Sequence, residues 1–127
     1  MSKRARNVED LDVFRRAYEL SLHLHRASQS FPKPEQYAGL ADQLRRSSKS
    51  VCGLIVEGSG RQSSSVKEFA RYLAMAVGSA EETRLWLRYA RDLGYLEVKQ
   101  ADEWRDECLH VIRMLQGLRS SLDLSDH

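Results

Sequence analysis

The sequence predicts an all-α protein, an antiparallel up-and-down four-helix bundle. Three observations predict it. Apolar or small residues recur at steps of three and four along four segments, no stretch alternates with the period of two that a half-buried strand requires, and proline or glycine marks the short connections. Helices joined by short loops pack antiparallel on their neighbours.

In the first segment the apolar line is Val13, Ala17, Leu20, Leu24, Ala27 and Phe31. "FPKPE" separates it from the second, because proline is tolerated in a first turn but not inside a helix. The second line runs Tyr37, Leu40, Leu44, Ser47, Val51, Leu54. Next comes "IVEGSGRQSSSVKEF", rich in glycine and serine, which raises the question of a phosphate-binding loop. Such a loop needs GxxxxGK[ST] between a strand and a helix, and here a helical segment precedes it and no GK[ST] occurs. The stretch reads instead as a corner: Gly58 and Gly60 are placed to end the second helix, and Ser65 to Glu68 spells the S-x-x-E of a capping box. The third line is Val66, Phe69, Leu73, Ala76, Ala80, Thr83, Leu87, Ala90; "LGYLE" ends it, with Gly94 suited to a left-handed cap. Ala101, Trp104, Cys108, Val111, Leu115, Leu118 and Leu122 form the fourth.

The predicted organisation is a basic N-terminal tail, residues 1–9, and one bundle domain, residues 10–123. With 127 residues, 42% hydrophobic and 30% charged, the chain can bury a core without staples and is unlike a disordered segment. No apolar run reaches about 18 residues, and "MSKRARNVED" lacks the apolar stretch of a signal peptide. A cytoplasmic protein with no membrane role is expected. Cys52 and Cys108 form no CxxC pair and read as two small buried hydrophobes.

Catalytic constellations are thin. His23 and His25 are two apart and point to different helix faces. One E-x-x-H occurs, Glu107 to His110, but a di-iron bundle needs two copies and two further glutamates, all facing inward. A surface pair is the simpler reading, and no enzyme activity, cofactor or metal is expected.

Charge is the stronger signal. Residues 1–91 hold 16 Lys and Arg against 10 Asp and Glu, whereas residues 92–127 hold 4 against 8. Arg84, Arg88 and Arg91 form a stripe on the third helix, which an antiparallel fourth helix could neutralise with Asp102, Glu103, Asp106 and Glu107. "LRRSSK" sets Arg45, Arg46 and Lys49 together without an adjacent acidic run; with Arg61 and the tail residues Lys3, Arg4 and Arg6 they are the candidates for phosphate contact. The alternative is an ordinary solvated face.

The third helix is apolar beyond its seam, with Ala70, Ala74 and Gly78 on one flank and Tyr72, Met75, Trp86 and Tyr89 on others. Either it meets another subunit through Ala70, Ala74 and Gly78, or it is the most central helix of a monomer. A head-to-tail contact that closes gives a ring of identical subunits and hides its apolar patches.

"DLDVFRRAYEL", "FPKPEQYAGLADQLRRSSKSV", "IVEGSGR", "EFARYLAMAVGSAEE" and "LGYL", taken in order, resemble the bacterial four-helix-bundle proteins encoded in intervening sequences of 23S ribosomal RNA genes. That family is similar to the accessory variability protein of diversity-generating retroelements. The resemblance implies a homopentamer with no known enzymatic activity. For the retroelement relatives it implies contact with a reverse transcriptase and with nucleic acid through basic surface. The family's E-G-x-G-R falls on Glu57, Gly58, Gly60 and Arg61, and its G-S-x-x-E on Gly78, Ser79 and Glu82. Where the family often reads N-I-x-E-G, this chain has Leu54 before Ile55.

Two functional classes follow. One is a non-catalytic oligomeric module engaging RNA or DNA, or a nucleic-acid-processing protein such as a reverse transcriptase, through basic surface. The other is a structural or protein-interaction scaffold with no nucleic-acid role.

Overall fold

The computed structural model describes residues 7–122. Four α-helices account for most of them: α1 (Asp12–Ser28), α2 (Leu40–Gly60), α3 (Val66–Asp92) and α4 (Val98–Ser120). Single 3-10 turns at Val8–Asp10 and Lys33–Glu35 precede α1 and α2, and no strand occurs among the described residues. Val8 already packs on the core, so the packed chain begins slightly before the expected boundary at residue 10. Lys3, Arg4 and Arg6 lie outside the described residues.

Contacts between helices run α1 to α2, α2 to α3, α3 to α4 and α4 back to α1, and the diagonal pairs have no Cα approach within 8 Å. The direction of each neighbour can be read from side chains. Ser47 and Ser50 of α2 meet Thr83 and Ser79 of α3 at 2.9 and 3.0 Å, while Arg84 and Arg91 of α3 meet Arg105 and Asp102 of α4. Rising numbers on one helix match falling numbers on the next, so these neighbours are antiparallel, as the short loops require. Each helix turns its apolar line inward. Val13, Val51, Ile55, Phe69, Leu73, Val111 and Leu115 fill one half of the core, and Leu20, Leu24, Phe31, Leu44, Leu87 and Cys108 the other. Burial pushes the thiols up, to about 11 for Cys52 and about 12 for Cys108, which keeps both protonated and inert.

Two positions of the second apolar line are corrected. Tyr37 precedes α2 and is 89% exposed, and Leu54 is only half-buried. After Val51, steps of three and of four were both open, and the packing takes four: Ile55 and then Gly58 are buried instead. Leu54 therefore lies beside the core rather than on its central line.

The α2–α3 corner is a corner, with changed parts. Gly58 lies inside α2, and neither it nor Gly60 has a positive φ. Its role is close approach: a Cβ there would stand 2.6 Å from Cβ of Tyr72 and 3.1 Å from Phe69. Ser65 caps α3, its Oγ accepting from Glu68 N at 3.1 Å. The reciprocal half of the box is absent, because the Glu68 carboxylate takes both bonds of the Arg71 fork and Ser65 N donates to Arg61 O. Ser79 meets Ser50 across the helices, whereas Glu57 and Glu82 are exposed. Gly94 caps α3 as expected, at φ +80°, with Tyr95 N donating back to Ala90 O at 2.8 Å.

The flank of α3 divides. Ala70, 3% exposed, and Tyr72 are buried inside the protomer, which removes Ala70 from any contact face. Ala74 and Gly78 are exposed, and Met75, Leu85 and Tyr89 share the solvent side with them.

Candidate nucleic-acid interface

The end of α1, the loop after it and the start of α2 are joined by one polar network. Gln36 donates its amide to Ser28 O at 2.9 Å and Phe31 O at 3.0 Å, replacing partners that the chain loses where α1 stops. Arg45, one turn into α2, reaches back: Nη1 donates to Ser28 Oγ at 2.8 Å and Gln36 Oε1 at 3.1 Å, and Nη2 to Gln36 O at 2.9 Å. Glu35 accepts from Leu40 N at 2.7 Å, at the positive end of α2, and from Tyr95 Oη at 2.8 Å. Those two bonds hold its carboxyl below the usual carboxylate range, the backbone bond being the larger cause, and Glu35 in turn pushes the Tyr95 phenol up. Gly39 is needed beside it, since a Cβ would lie 2.6 Å from Glu35 Cα.

The network fixes a strained loop. Ala38 has φ +57°, in the left-handed region that costs a non-glycine residue about 1 kcal/mol. Tyr37, between Gln36 and Ala38, is held outside, at the wall of a cleft of about 720 Å³ shared with Lys33, Pro34, Gln36 and Arg45. Its exposure is what the sequence reading missed.

The candidate cations divide by role. Arg45 is half-buried and clamps the loop, so it adds charge to the patch without being a free ligand. Arg46 is exposed, its side chain 76% accessible, with Asp42 at 3.8 Å, an acidic partner one turn earlier that the sequence reading had not paired with it. Lys49 donates from Nζ to His25 Nδ1 at 2.9 Å; because an ammonium only donates, His25 is the acceptor there and carries its proton on Nε2. Desolvation first, then Lys49, Arg45 and Arg26, lower the His25 pKa. Exposed Arg26 and Lys33 complete the patch, and neither had been singled out. Arg61 stands apart: twelve residues beyond Lys49, or about 18 Å along the helix, it lies over the Tyr72 ring at 4.8 Å.

The arginine stripe of α3 is neutralised in a different way from that expected. Only Arg91 reaches across to the acidic start of α4, to Asp102 at 2.7 Å. Arg88 pairs with Asp92 and Arg84 with Glu81, both on α3. Arg84 and Arg105 each donate Nε to the other's main-chain oxygen, at 3.3 and 3.2 Å. Glu107 instead holds the fork of Arg16 on α1 at 2.8 and 2.9 Å, and His110 is exposed. His23 stacks on Trp104. Among the described residues no three His, Cys, Asp or Glu side chains converge as a metal site requires. No helix among them is long and apolar enough to cross a membrane.

The model of the family described as 23S rRNA-intervening sequence protein matches residues 9–117. Among solved structures the chain is similar to a protein with unknown function from the S23 ribosomal protein family of Bacteroides thetaiotaomicron VPI-5482. The TM-score is 0.76 at 19% identity, over 86% of this chain and 99% of that one. At that identity the likeness shows a shared fold. A comparison with curated proteins gives no match. Neither the family description nor the solved relative names an enzymatic activity. With four helices in the same arrangement and a family match over most of its length, the chain belongs to the 23S rRNA-intervening sequence protein family.

Proposed function

We propose that this is a non-catalytic, cytoplasmic module that binds RNA or DNA through the basic end formed by α1, its loop and α2. One observation carries the reading. Arg26, Lys33, Arg45, Arg46 and Lys49 gather around that end, and among the described residues Asp42 is the only carboxylate within 4.0 Å of any of their charged groups. Phosphates supply the missing counter-charge, and the released counterions drive binding. Titration with RNA and DNA oligomers at low salt tests this directly. Dissociation constants of roughly 10⁻⁴ to 10⁻⁶ M are expected, even without sequence preference; no binding by either polymer overturns it.

The exposed side of α3 supports assembly. Ala74 and Gly78 let another backbone approach, and Met75, Leu85 and Tyr89 supply apolar area. We assign this face to a closed ring of identical subunits, five in number as the family resemblance implies. A ring repeats the basic end and turns weak phosphate contacts into a multivalent surface. The resemblance also points to a reverse transcriptase or another nucleic-acid-processing protein as a partner. A scaffold role without nucleic acid is the second reading, and the same α3 face favours it.

A further inference from the structure

We propose that Tyr37 is a stacking platform for an unpaired base, so that the basic end prefers single-stranded nucleic acid to duplex; this rests on the phosphate-binding reading above. The first argument is exposure. Tyr37 is 89% accessible, whereas the other exposed tyrosines are about half so and already have ring neighbours, Tyr18 stacked on Phe14 and Tyr89 tilted against Trp86. Among the described residues Tyr37 has no ring neighbour, and both of its faces are available.

Rigidity is the second argument. An exposed aromatic on a loose loop loses much of its binding free energy to ordering, but here Gln36 on one side is fixed by Ser28, Phe31 and Arg45, and Leu40 on the other by Glu35. Ala38, next to Tyr37, is held in the left-handed region by the same loop. Tyrosine itself has only two side-chain torsions to freeze.

Charge complementarity identifies the occupant. Tyr37 shares its cleft with Lys33 and Arg45, and exposed Arg46 follows Arg45 on α2, so an aromatic face stands beside cations. That combination is how proteins hold single strands: cations follow the phosphates while bases stack on rings, with little sequence preference. Duplex cannot use the ring, because its bases are already stacked on each other.

The test compares a single-stranded RNA oligomer, its duplex of equal length, and the same strand with abasic sites, using wild type, Tyr37→Ala and Tyr37→Phe. A phosphate-only binder favours duplex, which has the higher charge density. We expect wild type to favour the single strand, Tyr37→Ala to weaken that binding about tenfold with the duplex unaffected, and Tyr37→Phe to retain it. Abasic sites should cost wild type what Tyr37→Ala costs, and cost the alanine variant little. Tyr37→Ala binding the single strand as wild type does overturns the platform and leaves the phosphate reading intact. Preference of wild type for duplex does the same. Wild type binding neither polymer removes both.

Discussion

The guanidinium of Arg45 holds Gln36 at two points, donating to its main-chain oxygen at 2.9 Å and to its side-chain oxygen at 3.1 Å. Gln36 passes the connection on to Ser28 and Phe31. One side chain of α2 thereby sets both the end of α1 and the shape of the exposed loop. Removing it takes the donor from both oxygens of Gln36, while Ser28 Oγ keeps its bond to His25 O. Arg45→Ala should lower stability by about 2 kcal/mol. Arg45→Lys should recover little, because an ammonium has no fork to span two acceptors. Urea unfolding measures both; an unchanged midpoint in Arg45→Ala contradicts the clamp.

Two glycines of α2 give opposite expectations. Gly58→Ala places a methyl 2.6 Å from Tyr72 Cβ, so it should cost about 1–3 kcal/mol by overpacking. Gly53→Ala meets nothing within 4 Å and should stabilise by up to about 1 kcal/mol, through helix propensity alone. Thermal unfolding of the two variants decides it, and shifts of the same sign would contradict the packing at the α2–α3 crossing.

His25 makes stability depend on pH. Its folded pKa is lowered, so between that value and about 6.5 the unfolded chain binds a proton that the folded chain does not. The contribution is full above about 6.5 and is lost as pH falls through that value towards the folded pKa. Wild type should therefore lose stability on acidification more steeply than His25→Gln in this window. Parallel profiles of unfolding midpoint against pH would show that His25 is not held neutral.

Assembly can be weighed. Light scattering or native mass spectrometry of wild type should give a closed oligomer, five times the 14.6 kDa of the chain. Ala74→Glu, which puts a charge on the exposed α3 face, should dissociate it. A wild-type mass near 14.6 kDa contradicts the ring; an intact oligomer in the variant contradicts only this choice of face.

The helices were legible because packing on a neighbour imposes steps of three and four, and Gly94 because few residues tolerate φ +80°. Tyr37 was misread for the same reason: three residues before Leu40, it continues the apolar spacing although the chain there is not helical. The longest bonds of the loop network left no local trace. They join Glu35 to Tyr95, 60 residues away, and Arg45 to Ser28, 17 away, and no short window contains both partners. Arg45 in a basic run looks like a phosphate ligand until its acceptors are placed around it. Arg105 was hidden by the acidic residues beside it, and its reciprocal bond with Arg84 exists only once α3 and α4 are packed.

The most direct test of the nucleic-acid reading is the salt dependence of RNA binding by wild type and by the double variant Arg46→Gln, Lys49→Gln, from about 50 to about 200 mM salt. Both cations are exposed and neither holds the loop, so the fold should survive. If each neutralises a phosphate of a single strand, the slope of log K against log salt should become shallower by about 1.4 in the variant, with weaker binding at the low-salt end. An identical slope and affinity in the two proteins would contradict the assignment of this basic end to phosphate binding.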